Sequence, residues 1–117
     1  MIERLRGKYI GRNRATAYKD LVWTVGTAQD ESLGLADQTR KTLSNIDKNL
    51  KDLQSSKNRI VSAVVYITDI SQKKEMDDVW NEWIGDDSDN WPQRACVGAD
   101  LAGNTLVEIT VTAIRDS

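Results

Sequence analysis

The chain contains no histidine and a single cysteine, Cys96. Without histidine there can be no Ser–His or Cys–His nucleophile pair. The same lack leaves too few nitrogen and sulfur donors for a zinc site. Cys96 has no internal partner for a disulfide. Any catalysis must therefore rest on carboxylates, arginine, lysine, tyrosine, hydroxyls, Cys96, backbone groups or water. Nor does any run approach the roughly 18 apolar residues of a spanning helix, so no membrane segment is expected. The opening MIERLRGKYI is charged and has no apolar centre, so no secretory leader is expected. Together these absences predict a cytoplasmic protein.

What is present suits a soluble domain: 39% hydrophobic and 29% charged residues over a chain of 117. That length predicts one domain over residues 1–117. Its surface is large for its volume, so association would help to stabilise it. The net charge of −2 is unevenly spread. Arg4, Arg6, Lys8, Arg12, Arg14 and Lys19 make the first part basic. Asp69, Glu75, Asp77, Asp78, Glu82, Asp86, Asp87 and Asp89 make a later part acidic. We read these as solvated faces able to attract one another across subunits. Aromatic residues do not interleave with enough cations for a nucleic-acid surface.

Hydrophobic periodicity places the elements. GKYI reads as a short edge strand, and ATAY and LVWTVG as two more strands that turn at Lys19-Asp20. TAQDESLGLAD reads as a loop. Leu43, Ile46, Leu50 and Leu53 make one apolar stripe of a helix. RIVSAVVYITDI is β-branched and apolar on both faces, the pattern of a strand buried on two sides. Asp69 and Gln72 resemble a capping box for a second helix. That helix presents Met76, Val79, Trp80, Trp83 and Ile84 on one face. The order predicts an α+β two-layer sandwich, a mixed sheet with two helices on one face.

The last segment, NWPQRACVGADLAGNTLVEITVTAIR, reads as a hairpin turning near Gly103-Asn104. Both apolar sets, Ala95, Val97, Ala99 and Leu101 in one strand and Val107, Ile109, Val111 and Ala113 in the other, would lie under the helices. Strand alternation then puts Arg94, Cys96 and Glu108 together on the opposite face. Val64 and Tyr66 suggest that this face is also covered, and a second copy of the chain is the natural cover. An arginine beside such a boundary suits bidentate carboxylate binding. An ion pair between Arg94 and Glu108, or across subunits, is the structural alternative.

The same segment resembles the C-terminal signature of the YjgF/RidA family, P-x-R-[ASTC]-x-V…L-P…VEIE-x-x-A. The matching residues are Pro92, Arg94, Ala95, Cys96, Val97, Leu101, Val107, Glu108, Ile109 and Ala113. QTRKTLSNID resembles the family's Q-x-R-x-x-L-x-N-[IV] helix, and RIVSAVVYITDI its strand ending in an aspartate. The resemblance covers about residues 11 to 115, and the Trp-rich second helix looks closest to a YoaB-like branch. It implies a chorismate-mutase-like fold and a homotrimer whose three sheets form a central barrel with clefts between subunits. It also implies hydrolysis of small 2-imino or enamine acids to 2-keto acids and ammonia, with no metal or cofactor. Arg94 matches the arginine that binds the carboxylate, Glu108 the glutamate that positions water, and Cys96 the neighbouring cysteine.

Gly26 offers a backbone N–H to such a substrate, and Trp91 is expected at the cleft mouth. The sequence departs from the family in three places. Val25 stands where the family has a serine, Asp77 where it has an asparagine, and the family's cleft tyrosine has no match. Arg14 and Tyr18 are candidates to take over part of the cleft. The Val25 substitution keeps a second expectation open, a non-catalytic trimer that binds a small carboxylate metabolite in the same cleft. A chorismate mutase site finds no matching cationic set. A calcium loop at DDSDNW fails because Trp91 and Val97 stand where glycine and glutamate are needed.

Overall fold

The computed structural model describes residues 1–116. Its strands are β1 (Glu3–Arg6), β2 (Asn13–Tyr18), β3 (Leu21–Gly26), β4 (Ile60–Ile67), β5 (Gln93–Gly98) and β6 (Val107–Ile114). Helix α1 (Leu35–Asp52) lies between β3 and β4, and α2 (Lys73–Ile84) between β4 and β5. The six strands form one sheet in the order β1-β2-β3-β6-β4-β5. Among the described residues no helix is long and apolar enough to cross a membrane.

The helical stripes form as the periodicity predicts. Leu43, Ile46, Leu50 and Leu53 are all buried against the sheet, as are Met76, Val79, Trp80 and Ile84 from α2. Full burial of such a side chain contributes about 1.5–3 kcal/mol. Buried Gln38 ties the first turn of α1 to the loop before β6: its amide donates to the Leu33 and Asn104 carbonyls and its oxygen accepts from Leu106 N–H. α2 stops at Gly85, whose φ of 87° falls where a side chain would be strained. Asp69 makes a turn rather than a capping box. Its carboxylate accepts from Ser71 N–H at 3.0 Å, and a short 3-10 turn precedes α2.

Two strand expectations are corrected. The N-terminal edge strand is ERLR rather than GKYI. Alternation puts Glu3 and Leu5 on one face, and β1 needs only its backbone bonds to β2 to sit at the edge, where charge is tolerated. The Arg115 guanidinium pairs with Glu3 and donates to the Lys19 carbonyl, fastening that edge. This pairing holds the Glu3 carboxyl below its usual range.

The second correction is larger: β5 and β6 do not form a hairpin. β6 pairs antiparallel with β3 and β4, while β5 pairs parallel with β4 alone. A hairpin in the order β3-β6-β5-β4 would leave apolar β4 at an exposed edge, whereas the order found puts it inside. The parallel pair needs a crossover, which α2 supplies. Gly103, at φ 57°, bends the connection, and Asn104 N–H donates to the Glu31 carboxylate at 2.8 Å.

Register then assigns the faces. Arg94 and Cys96 pair with Ala63 and Val65, which are buried beneath the helices. Partners across a sheet share a face, so Arg94 and Cys96 point toward α2. Glu108 pairs with Tyr66 on the other face. Ala95 and Val97 also belong to that open face, while Val107, Ile109, Val111 and Ala113 lie under the helices as expected. The open face carries Tyr18, Leu21, Trp23, Val25, Val97 and Ile114, each 37–42% exposed.

Candidate functional site

Edge strand β5 and helix α2 build the site around Arg94. The crossover lays α2 against β5, so the helix-facing side chains of the strand meet the first two turns of α2. Arg94 Nη2 donates to Asp77 Oδ1 at 2.5 Å, and Lys73 Nζ donates to Asp77 Oδ2 at 2.7 Å. Lys73 and Asp77 are four apart on one helix, the spacing that brings opposite charges together. The guanidinium carbon stands 5.2 Å from the centre of the Trp80 ring, within reach of its π face. Nη1 makes a weak contact with Met76 Sδ at 3.8 Å.

Two cations and one anion leave this cluster with one net positive charge. The Arg94 and Asp77 side chains are 17% and 23% exposed, so water screens the pair only in part. Partial burial favours the neutral form of Asp77. Hydrogen bonds from Lys73 and Arg94, together with their charges, outweigh it and hold the carboxyl below its usual range. Burial pushes the Cys96 thiol up, and the positive charge of Arg94 offsets only part of that. Cys96 therefore stays a thiol at neutral pH and is a poor nucleophile.

The other expected site residues lie elsewhere. Glu108 is on the open face, half-buried, and makes no ion pair among the described residues. The alternative of an Arg94–Glu108 pair within one chain is excluded, because the sheet separates them. Val25 shares the open face with Glu108 and pairs with Thr110. Gly26 faces α1, where an added Cβ would stand 3.2 Å from Ile46 Cγ1. Its small size lets the helix approach the sheet. Trp91 is 54% exposed, with its indole N–H donating to the Gly85 carbonyl at 2.8 Å. The Arg14 guanidinium turns to α1, donating to Asn49 and Asp52. The open face holds a shallow concavity of about 570 Å³, lined by Arg4, Arg12, Trp23, Val25, Val64 and Thr112 among others.

One chain thus places Arg94 and Cys96 under α2, and Glu108 and Val25 on the opposite, open face. The profile of the family described as Endoribonuclease L-PSP matches residues 11–115. The chain belongs to this family, the YjgF/RidA family. A RutC family protein from Haemophilus ducreyi is 41% identical over 85 residues, which span 72% of this chain and 71% of that protein. A RutC family protein from Haemophilus influenzae is 35% identical over 78 residues, 66% of each chain.

Among solved structures, a YjgF-family protein from Neisseria meningitidis is 29% identical with a TM-score of 0.89, covering 100% of this chain and 97% of that one. A YjgF/RidA-type fold with two helices on one mixed sheet is therefore established. The YoaB-like branch is a finer assignment than these matches make. Sequence reasoning missed Lys73, and it noted Asp77 only as a departure from the family. The i, i+4 spacing of the two was the available signal.

Proposed function

We propose that the protein hydrolyses small 2-imino or enamine acids to 2-keto acids and ammonia in a cleft formed between copies. The observation that carries this reading is Arg94. It is the family-motif arginine, set on an edge strand, held against Trp80, and within a cluster of net positive charge. Because Glu108 occupies the opposite sheet face, a cleft holding both residues takes Arg94 from one copy and Glu108 from the next. The apolar side chains exposed on the open face favour a cover of this kind. A ring of three is the assembly that the family resemblance implies.

The chemistry asks little of the protein. Arg94 anchors the substrate carboxylate, and Glu108 orients a water toward the imine carbon. The water oxygen bonds to that carbon as the C=N π electrons move to nitrogen. The nitrogen takes a proton, the C–N bond breaks, and the iminium acid plus water yields the keto acid plus ammonium. Neither histidine nor metal enters these steps.

A second reading, a carboxylate-binding protein without turnover, is favoured by Val25, which brings no hydroxyl, and by Asp77, which already engages Arg94. Hydrolysis of freshly generated 2-iminobutyrate and 2-iminopropionate separates the two. Acceleration by wild type that is lost in Arg94→Ala supports hydrolysis. No acceleration by folded wild type leaves the binding reading.

A further inference from the structure

The Arg94–Asp77 pair is a juxtaposition of opposite charges at the surface rather than a sealed core pair. Arg94 Nη2 is committed to Asp77, and Nη1 has only its weak sulfur contact. Nε makes no hydrogen bond among the described residues. No buried side-chain nitrogen or oxygen among them lacks a partner, so Nε is not sealed from solvent. Asp77 holds its other oxygen against Lys73, whose side chain is 45% exposed and free to swing into water. Guanidinium N–H groups of Arg94 and a carboxylate oxygen held only by an exposed lysine thus stand side by side on one rim.

We infer that Asp77 is a specificity-determining residue and that the site selects zwitterionic ligands, in which a carboxylate and a protonated nitrogen are separated by a single carbon. This rests on the proposal that Arg94 receives a carboxylate. The carboxylate lies along the free edge of Arg94, and the protonated imine or amine nitrogen displaces Lys73 from Asp77 Oδ2. Each ligand charge then meets its opposite, and the pairs reinforce one another because they are only partly screened. A 2-keto acid has the carboxylate but no cation. With no cation of its own it leaves Lys73 as the partner of Asp77 and gains no second ion pair, so the hydrolysed product is held less tightly than its precursor. Keeping the imine nitrogen protonated also keeps its carbon electrophilic, which puts Asp77 in contact with the reacting group.

The test uses two stable probes at pH 7 on intact protein, 2-aminobutyrate as the zwitterion and 2-oxobutyrate as the anion, with binding read by calorimetry. Wild type is expected to prefer the zwitterion by about tenfold. Asp77→Asn is expected to abolish or reverse the preference by strengthening 2-oxobutyrate binding. Lys73→Ala, a change at an exposed position, is expected to widen the preference, and it keeps the test open if Asp77→Asn folds poorly. In imine hydrolysis, Asp77→Asn should raise KM more than it lowers kcat.

An unchanged preference in both variants overturns the inference, as does a wild type that binds neither probe. Loss of hydrolysis in Arg94→Ala alongside an unchanged preference in Asp77→Asn leaves the proposed function standing and removes only this inference. A preference that responds as expected in a wild type without hydrolysis supports the inference and sinks the catalytic reading.

Discussion

Placing Arg94 and Glu108 on opposite faces of one sheet makes a sharp prediction about mixed assemblies. If each cleft draws the arginine from one copy and the glutamate from its neighbour, two inactive variants can restore each other. Arg94→Ala and Glu108→Ala chains would be co-expressed in equal amounts and imine hydrolysis compared with each variant alone. A cleft is intact when an Arg94-bearing copy is followed by a Glu108-bearing one. Random mixing in a head-to-tail ring therefore restores about one quarter of wild-type activity.

A second mixture calibrates the first. Wild type combined equally with the Arg94→Ala/Glu108→Ala double variant should also fall to about one quarter if clefts are shared, and to about one half if each copy carries its own. Activity in the first mixture no higher than that of the separate variants would refute the shared cleft. Mass measurement of the mixed particles checks that exchange occurred.

Three other outcomes are expected. Val25→Ser, on the open face beside Thr110, supplies a hydroxyl on the face that carries Glu108 and should raise imine turnover without altering Tm by more than about 2 °C, as a partly exposed substitution. Asp77 has a depressed folded-state pKa, so its contribution to stability is complete above its ordinary value of 3.8 and is lost as pH falls through the folded value. Urea unfolding between pH 6 and 2 should accordingly show a smaller acid loss in Asp77→Asn than in wild type, and equal slopes would contradict the pairing. Cys96, with its thiol pushed up by burial, should alkylate with iodoacetamide at pH 7.5 at least about tenfold more slowly than a free thiol. Faster labelling would mean an exposed thiolate.

The parts of this fold legible in the sequence are those governed by local period. Leu43, Ile46, Leu50 and Leu53 announce α1 whatever surrounds them, and the two-sided apolar character of β4 marks an interior strand. The identity of Arg94 as a motif residue is also local. Its direction is not. Alternation assigns Arg94 and Cys96 to one face of β5, but which face lies under the helices depends on the neighbouring strand. That neighbour is β4 in parallel, not β6 in a hairpin. A β6 partner would turn the strand over and put Arg94 beside Glu108. The Arg94–Asp77 contact follows only from the α2 crossover, which joins residues 17 positions apart. The β1 strand carries little signal in the sequence, because ERLR has a single apolar residue and is held by backbone bonds.

The central place of β6 also bears on how the protein comes into being. The strand made last among the described elements lies between β3 and β4 and is the only bridge between β1-β2-β3 and β4-β5. Until residues 107–114 have been synthesised, a nascent chain holds two partial sheets with open edges at β3 and β4, and no single layer for both helices to cover. Assembly must wait until β6 has been made and close by inserting that strand between two partners distant in sequence, a slow class of event. During that wait the exposed edges of β3 and β4 are the surfaces on which a chaperone, or another unfinished copy, would act.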